Sequence, residues 1–309
     1  MNSDPKKPLL RFCESQTQRR RAALWDAVVA RGLSFVAAGV GLMLVCLVVF
    51  MVKESMPALL AGLGGLAPSN PQSSWRSLVS LGWGSFKVVV IALTVAIPIA
   101  IPAALYVSQV APARWRVWLK STLGLMQGVP TVVVGFLALW VLAPAFQRAF
   151  GAPFLLNGMV AGVAVGLAIV PLMFSMVEDA LSAVPREWVG AALALGATPW
   201  EAVRRVVWPA AASDIGAAVL LGMSQALGET MIVMMVGGNA VHPGWSLWDP
   251  VRTVPGDLAL GLAGAARGSQ RYSELFLMGF ALLGMTVGLQ GLARLIRSRN
   301  ARLRGEVSA

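Results

Sequence analysis

Six long apolar segments constrain what this chain can fold into. Each contains about 20 residues with few charges, the length that an α-helix needs to cross roughly 30 Å of hydrocarbon. They lie near residues 32–52, 84–107, 123–145, 157–177, 214–236 and 274–293. Since 57% of the 309 residues are hydrophobic and 13% are charged, the chain has more apolar surface than one soluble core can bury. The sequence therefore predicts an all-α integral membrane protein with six transmembrane helices.

The basic residues next to these segments predict how the chain is oriented. If both termini lie in the cytoplasm, most of the 25 Lys and Arg residues flank the cytoplasmic ends of the spans, as the positive-inside rule expects. This orientation gives a basic arm at residues 1–31, a six-span domain at 32–295 and a basic tail at 296–309. The net charge of +11 does not indicate nucleic-acid binding, because the basic residues lie beside apolar segments and not on one aromatic-studded face.

The sequence contains none of the common catalytic or metal-binding patterns. There is no Gly-x-Ser-x-Gly or His-Glu-x-x-His motif, and Ser224 has no predicted His partner. His242 is the single histidine, and Cys13 and Cys46 are the two cysteines, so neither a metal site nor a cofactor site is predicted. A phosphate-cradling Gly-rich loop is also absent, so an ATP-driven function would need a separate nucleotidase chain. A membrane enzyme or a structural scaffold is a remote alternative.

A polar-edged helical stretch at about residues 180–212, the elbow, separates the fourth and fifth apolar segments. Its pattern predicts two short helices that are interrupted at Gly196-Ala197-Thr198-Pro199. Thr198 is the expected N-cap of the second helix, Pro199 its first residue, and Glu201 lies in its first turn. We expect the elbow to project from the membrane on the cytoplasmic side.

Glu229 is a carboxylate near the middle of the fifth apolar segment. A carboxylate at that depth is costly unless it is paired, protonated or hydrated, so it is a candidate functional residue. In a continuous helix, Gln225 lies one turn before it on the same face, and Gly228 permits close approach of a ligand or a second backbone. Two interpretations stay open: a carboxylate that fixes helix packing, or one that lines a translocation path.

Glycines and prolines predict how the spans pack. The repeats Gly158-x-x-x-Gly162-x-x-x-Gly166 and Gly284-x-x-x-Gly288 are expected to form close helix contacts. Prolines remove backbone donors inside the second, third and fourth segments and predict kinks there, at Pro98, Pro102, Pro130 and Pro171. The stretches 53–83 and 237–273 are predicted to be loops on the outer side that contain short interfacial helices.

The elbow resembles the coupling loop of ABC-importer permeases. That loop has the pattern Glu-Ala-Ala, three residues, Gly, nine residues, Ile, one residue and Leu-Pro. This chain has the same spacing in Gly190-Ala191-Ala192, Gly196, Val206 and Trp208-Pro209, with Gly190 in place of the Glu and Trp208 in place of the Leu. The resemblance implies that an ATPase subunit is contacted by Glu187, Gly190, Ala191, Ala192, Gly196, Thr198, Pro199, Glu201 and Pro209.

Further motifs resemble phosphate-importer permeases of the PstC and PstA type. The segment Leu227-Gly228-Glu229-Thr230-Met231, followed by Gly237-Gly238-Asn239, is similar to the family's Arg-Ala-x-Gly-Glu-Thr-Met signature. The segment Gly128-Val129-Pro130-Thr131-Val132-Val133-Val134-Gly135 is similar to its Gly-Ile-Pro-Ser-Val-Val-Tyr-Gly stretch, and Gly84-Ser85-Phe86-Lys87 fits more weakly. The resemblance covers about residues 80–295 and is nearer to PstC. It implies a translocation path lined by Gln225, Gly228, Glu229, Thr230, Lys87, Pro130 and Thr131.

The resemblance also implies a fold, a location and a set of partners. The fold is the type I ABC-importer permease fold with six transmembrane helices, in the bacterial inner membrane and with both termini in the cytoplasm. The expected partners are a second permease of the PstA type, two ATP-binding subunits of the PstB type and a periplasmic or extracellular phosphate-binding protein of the PstS type. Because ATP hydrolysis would take place on a partner chain, this chain is not expected to be an enzyme or to bind a cofactor, a metal or nucleic acid.

Gln225 departs from the family pattern, which has an arginine four residues before the glutamate. Glutamine can donate hydrogen bonds to an oxyanion but supplies no net charge. Three explanations are open: the second permease provides the cation, Lys87 helps at the outer mouth, or the substrate is another oxyanion such as tungstate, molybdate or sulfate. Since Glu229 alone would repel a dianion, we expect it to organise a cation on the second permease rather than to touch the substrate.

Overall fold

The computed structural model describes residues 7–63, 71–241 and 244–303, where the secondary structure is helical apart from one isolated bridge between Gly238 and Val251. The α-helices are α1 (Lys7–Leu63), α2 (Pro71–Leu105), α3 (Ala113–Met126), α4 (Thr131–Leu137), α5 (Ala143–Phe150), α6 (Gly158–Ser182), α7 (Arg186–Ala194), α8 (Pro199–Ala202), α9 (Trp208–Gly228), α10 (Met231–Val236), α11 (Val254–Gly264) and α12 (Gln270–Leu303). Short π-helical segments follow α2, α4 and α8, at Tyr106–Val110, Ala138–Leu142 and Val203–Val207.

Six helical stretches among the described residues are long and apolar enough to cross a membrane, which confirms the predicted number. They are Val29–Leu60, Val79–Val110, Thr131–Phe150, Gly158–Ser182, Pro199–Gly228 and Gln270–Ser298. The third span begins at Thr131 and not near residue 123, because α3 before it is a separate helix. The described residues of the stretch 53–83 are helical, so the prediction of a loop there was wrong: α1 continues to Leu63 and α2 begins at Pro71.

The chain divides into two compact units, residues 1–54 and residues 55–309. The described part of the first unit is helical throughout, since α1 begins at Lys7 and passes residue 31 without a break. The basic arm predicted at residues 1–31 is thus helical from Lys7 onward. The second unit contains the helices α2 to α12 and the core described below.

Small residues bring α2 and α6 into close contact in the second unit. On α2 a row of alanines spaced by four residues is fully buried: Ala92, Ala96, Ala100 and Ala104. On α6 a Cβ atom added at Gly162 would lie 2.5 Å from the Cβ of Ile91, and one added at Gly166 would lie 2.8 Å from the carbonyl oxygen of Ala92. The first glycine repeat therefore forms the predicted close contact, because a larger side chain would push the two backbones apart.

The second glycine repeat does not form such a contact with the described residues of the second unit. A Cβ atom added at Gly284 or Gly288 would meet no described atom within 4 Å. Both glycines lie on an exposed part of α12. The prediction of a close helix contact at this repeat was wrong for the second unit, because the spacing of small residues creates a flat surface but does not provide a neighbour for it.

The prolines divide into two groups. Pro98, Pro102 and Pro171 lie inside α2 and α6, as predicted, and the carbonyl oxygen of Pro171 accepts a hydrogen bond from Nε2 of Gln127 at 3.1 Å. Pro130 does not kink a span but is the N-cap of α4, with an extended backbone. A proline before the first helical residue has no N–H to leave unsatisfied, so this position is favourable for it.

Helix α6 connects two opposite ends of the second unit. Its first residues, Gly158 and Met159, donate backbone hydrogen bonds to the carbonyl oxygens of Asp249 and Leu247 at 3.0 and 2.9 Å. Its last turn leads into the elbow. Because α6 has 25 residues, these ends are about 37 Å apart. We refer to them as the loop end, with residues 237–253, and the elbow end.

Candidate functional site

The elbow has the local structure that its sequence predicts. Helix α7 ends before Gly196, whose φ of +88° is a left-handed conformation that glycine adopts without strain. Thr198 then caps α8: its Oγ1 accepts a hydrogen bond from the backbone N of Glu201 at 3.3 Å, and Oε2 of Glu201 accepts one from the backbone N of Thr198 at 2.9 Å. This reciprocal capping box, with Pro199 in the first turn, fixes the direction in which the chain leaves the turn.

One side of the elbow is anchored and the other is open. Ala202 and Val207 are fully buried, so the second half of the elbow is packed against the helices. In contrast, Leu195 is 89% exposed, and Trp188 and Trp200 are 42% and 59% exposed. Short exposed helices with apolar side chains and charged neighbours are suited to bind in a groove of another protein.

The predicted contact residues of the elbow lie on this open side. Those whose side chains or backbones are exposed are Glu187, Gly190, Ala191, Gly196, Thr198, Pro199 and Pro209. Ala192 and Glu201 are half-buried. Nothing described lies within 4 Å of a Cβ atom added at Gly190 or Gly196. The position at which the family pattern has Glu therefore has room for a larger partner side chain.

An ion pair between an exposed lysine and a buried carboxylate ties α3 to the end of α6, directly before the elbow. Nζ of Lys120 donates hydrogen bonds to the carboxylates of Glu178 and Asp179, and Glu178 is 3% exposed. Its second oxygen accepts a hydrogen bond from Oγ of Ser182 at 2.9 Å. The hydrogen bond from Lys120 to Glu178 raises the pKa of Lys120 above its ordinary value. Sequence reasoning missed this pair, although a carboxylate in the last turns of the fourth span was a usable signal.

Glu229 lies in a break between two helices, not in the middle of a continuous span. Helix α9 ends at Gly228, and α10 begins at Met231. Oε1 of Glu229 accepts a hydrogen bond from the backbone N of Ile232 at 3.3 Å, and Oγ1 of Thr230 donates one to the carbonyl oxygen of Gly228 at 3.2 Å. We call residues 228–230 the break. The two polar side chains satisfy backbone groups that the interruption of the helix leaves free.

The backbone at Glu229 shows where the predicted fifth helix ends. Glu229 ends α9, with φ of −71° and ψ of 121°, so the helix that was expected to continue through it was wrong, whereas the shared face of Glu229 and Gln225 stays a prediction. Glu229 is half-buried, and none of the ion pairs among the described residues includes it. Glu229 therefore lies where the fifth span ends, and both interpretations, a carboxylate that fixes helix packing and one that lines a translocation path, stay predictions.

Neutral amides lie close to the break. Gln225 is exposed on α9, and the neighbouring Ser224 is buried. Oγ of Ser224 accepts a hydrogen bond at 3.3 Å from Nε2 of Gln290, which is exposed on α12. Gln290 was not among the predicted site residues, because the sequence gives no indication of which face of the last span meets α9.

The motif around Pro130 packs beside the break. Gly135 of α4 is buried, and a Cβ atom added to it would lie 2.8 Å from Sδ of Met235 and 3.3 Å from Cα of Ile232, both in α10. The two segments that carry the family resemblance are therefore neighbours in space. Pro130 is exposed and Thr131 half-buried at the start of α4.

Lys87 is not a free cation at the mouth of a path. Its side chain is buried, with 4% exposure, and Nζ donates hydrogen bonds to the carbonyl oxygens of Gly244 and Ser246, each at 2.8 Å. The ammonium group fixes the loop end to α2. The place of Lys87 in the translocation path stays a prediction. His242 lies outside the described residues, and within them no group of His, Cys, Asp and Glu side chains could hold a metal ion.

A six-span helical protein with an exposed helical elbow after its fourth span and a break at the end of its fifth has the organisation of a membrane transport permease. The model of the family described as "Binding-protein-dependent transport system inner membrane component" matches residues 96–299. The chain belongs to this family.

Relatives and solved structures agree with that assignment. The chain is 33% identical to the probable ABC transporter permease protein YqgH of Bacillus subtilis over 70% of each chain. It is 29% identical to the phosphate transport system permease protein PstC of Xylella fastidiosa, over 76% of this chain and 78% of that one, and to PstC 2 of Mycobacterium tuberculosis over 94% and 96%. A structure of the MetNI methionine ABC transporter in an inward-facing conformation has a TM-score of 0.52 at 20% identity, over 74% of this chain and 99% of that one, which shows the fold.

Proposed function

We propose that this chain is the transmembrane permease subunit of an ATP-driven phosphate importer and forms half of its translocation path. The observation that carries the proposal is the break at residues 228–230, which ends the fifth span and presents Glu229 and Thr230 within a signature that resembles PstC and PstA permeases. The relatives named PstC, which match most of the chain at 29% identity, support the same substrate.

The proposed assembly assigns each end of the second unit to a partner. An ATP-binding subunit of the PstB type docks on the open side of the elbow, and a phosphate-binding protein of the PstS type delivers substrate at the loop end. A second permease of the PstA type completes the path, and a second PstB-type subunit binds that permease. ATP hydrolysis takes place on the ATP-binding subunits. This arrangement places the chain in the bacterial inner membrane with the elbow and both termini in the cytoplasm, as the distribution of basic residues predicts.

The chemistry near the break determines how an oxyanion could pass. Gln225, exposed on α9, can donate hydrogen bonds from its amide, but it adds no charge to offset the carboxylate of Glu229. A dianion therefore needs a cation that the second permease provides, and Glu229 is placed to orient such a cation. A permease for another oxyanion, such as tungstate, molybdate or sulfate, is the second candidate, and the replacement of the family's arginine by Gln225 is the observation that favours it.

Uptake measurements test the proposal. In a strain that lacks the gene for this chain, we expect the wild-type chain to restore uptake of radiolabelled phosphate and unlabelled phosphate to compete more strongly than molybdate, tungstate or sulfate. Restored uptake of another oxyanion without phosphate uptake would favour the second candidate. Restoration of neither would contradict both.

Three variants test the role of the break. Glu229→Gln removes the charge at nearly constant volume, and we expect phosphate uptake to be lost, whereas Glu229→Asp should keep part of it. Gln225→Arg restores the family's residue and should retain or increase uptake. Undiminished uptake by Glu229→Gln, with the chain present in the membrane at the wild-type level, would remove the proposed role of Glu229.

A further inference from the structure

A buried carboxylate joins three elements at the loop end. Asp257, in the first turn of α11, has a side chain that is 2% exposed. Its Oδ1 lies 3.2 Å from Nη1 of Arg252, and its Oδ2 lies 2.7 Å from Nη2 of Arg271 in the first turn of α12. Thr253 Oγ1 and the backbone of Thr253 cap the same turn of α11. A carboxylate buried to this extent is stable only while its charged partners remain. Asp257, Arg252 and Arg271 therefore stabilise one another, and loss of one weakens the contacts of the other two.

The same arginine reaches the end of α10. Nε of Arg252 donates a hydrogen bond to the carbonyl oxygen of Asn239 at 2.9 Å, and Nδ2 of Asn239 donates one to the carbonyl oxygen of Met234 at 2.8 Å. Asn239 has a φ of 52°, a left-handed conformation that asparagine tolerates better than most residues. We call Asn239, Arg252, Asp257 and Arg271 the clamp. It holds the C-terminal end of α10.

The clamp is attached to α2 as well. A Cβ atom added at Gly84 would overlap the carbonyl oxygen of Arg252, and Oγ of Ser85 accepts a hydrogen bond from the backbone N of Val254 at 2.9 Å. These contacts give a structural reason for a glycine at position 84 and a serine at position 85, in the segment that resembles the family pattern only weakly. Since α2 is also packed along α6, the clamp has a rigid base.

We propose that Asp257 is a positioning residue that sets the location of Glu229 and Thr230. Helix α10 has six residues, about 9 Å, with the break at one end and the clamp at the other. Ile232, Val233 and Val236 of this helix are buried, so it moves as a short rod and not as a flexible linker. A displacement at the clamp therefore reaches the break. This inference rests on the proposed function, since it gives the break a place in the translocation path.

Thiol labelling of the full-length chain in membranes tests the inference without using a substrate. Cys13 and Cys46 are replaced by serine, and Thr230→Cys reports on the break. In this background Asp257→Asn should make the thiol react with a membrane-impermeant maleimide about fivefold faster, as expected when a charge-assisted hydrogen bond that restrains local opening is lost. Arg271→Gln removes the second partner of Asp257 and should also accelerate labelling. Arg267→Gln is its matched control and should not, because Arg267 is exposed in the same region and takes part in none of the ion pairs among the described residues.

Two comparisons separate positioning from general loosening. A second reporter, Ala192→Cys in the elbow, is half-buried and should keep its labelling rate in Asp257→Asn. Arg252→Lys keeps the charge but loses the planar fork with which Nη1 binds Asp257 and Nε binds the carbonyl of Asn239, so an intermediate rate at Thr230→Cys is expected. If Asp257→Asn does not accumulate in the membrane, the labelling rate of Thr230→Cys in Arg252→Lys shows whether the clamp restrains the break.

Some outcomes would overturn the inference. Unchanged labelling at Thr230→Cys in Arg252→Lys, and in Asp257→Asn where it accumulates, would show that the clamp does not restrain the break. Equal acceleration at both reporters would show a loss of global stability. Failure of the wild-type chain to support phosphate uptake would leave the labelling result unaffected, so the proposed function and the role of Asp257 fail separately.

Discussion

Gly162→Ala should destabilise the contact between α2 and α6 far more than the same change elsewhere on a glycine repeat. The added methyl group would lie 2.5 Å from Cβ and 2.6 Å from Cγ2 of Ile91, and 3.2 Å from the carbonyl oxygen of Val88. Non-bonded carbon atoms prefer separations of about 3.5 to 4.0 Å. Because Cβ of Ile91 is fixed to the backbone, rotation of that side chain cannot relieve the overlap, so the two helices must move apart by about 1 Å.

The magnitude follows from the cost of overpacking. Insertion of an extra methyl group into a packed core costs about 1 to 3 kcal/mol. Replacing glycine by alanine also favours the helix, by up to about 1 kcal/mol in soluble helices. Gly284→Ala provides the matched control, since its methyl group meets nothing described within 4 Å. The difference between the two variants therefore isolates the steric cost, about 1 to 3 kcal/mol.

Thermal unfolding of the purified chain in detergent, at one fixed heating rate, measures this difference. About 2 to 4 °C is expected per kcal/mol for chains of 150 to 250 residues, so Gly162→Ala should unfold several degrees below Gly284→Ala. Gly166→Ala should behave like Gly162→Ala, because its methyl group would lie 2.8 Å from the carbonyl oxygen of Ala92. Equal midpoints for Gly162→Ala and Gly284→Ala would refute the assignment of this repeat to a close helix contact.

Three further changes have defined outcomes. Thr198→Ala removes the cap of α8 and should cost about 1 kcal/mol locally, measured as faster amide hydrogen exchange in the elbow; unchanged exchange there would contradict the capping role. Lys87→Met removes two hydrogen bonds to loop carbonyls, and the loop at 244–249 should become sensitive to added protease, whereas continued resistance would show that other contacts hold it. Lys120→Met leaves the buried Glu178 without its cation and should lower the midpoint of unfolding at about pH 9, where the raised pKa of Lys120 keeps it charged in the wild-type chain; an unchanged midpoint at that pH would contradict the pairing with Glu178.

Features with strong local signals could be predicted from the sequence. The number of spans follows from the length of the apolar segments. The turn between the two elbow helices follows from Gly196, Thr198 and Pro199, whose conformations are set by their nearest neighbours. The close contact at Gly162 was also predictable, but its partner helix was not. The second repeat, at Gly284, has the same spacing and meets no described neighbour, since a pattern along one helix carries no information about what lies opposite it.

Features that depend on contacts distant in sequence were mispredicted or missed. Glu229 was expected in a continuous helix because the residues around it are apolar, whereas the structure shows α9 ending at Gly228 before it. Lys87 was predicted to help at the outer mouth of the path, and its hydrogen bonds to carbonyl groups about 160 residues later in the chain were not anticipated. The clamp around Asp257 was not anticipated, because its arginines lie in a loop and at the start of a span, where basic residues usually indicate orientation.

The central claim is that the elbow binds a separate ATP-binding subunit. The most direct measurement is affinity purification of the tagged full-length chain from its native membrane in mild detergent, followed by identification of the copurifying proteins. Gly196→Pro should abolish the association, because proline cannot adopt the φ of +88° found there, and Gly268→Pro, at a φ of +78° near the loop end, is the matched control. The account predicts that an ATP-binding subunit copurifies with the wild-type chain and with Gly268→Pro but not with Gly196→Pro. Absence of any ATP-binding subunit from the wild-type preparation, or its retention by Gly196→Pro, would contradict it.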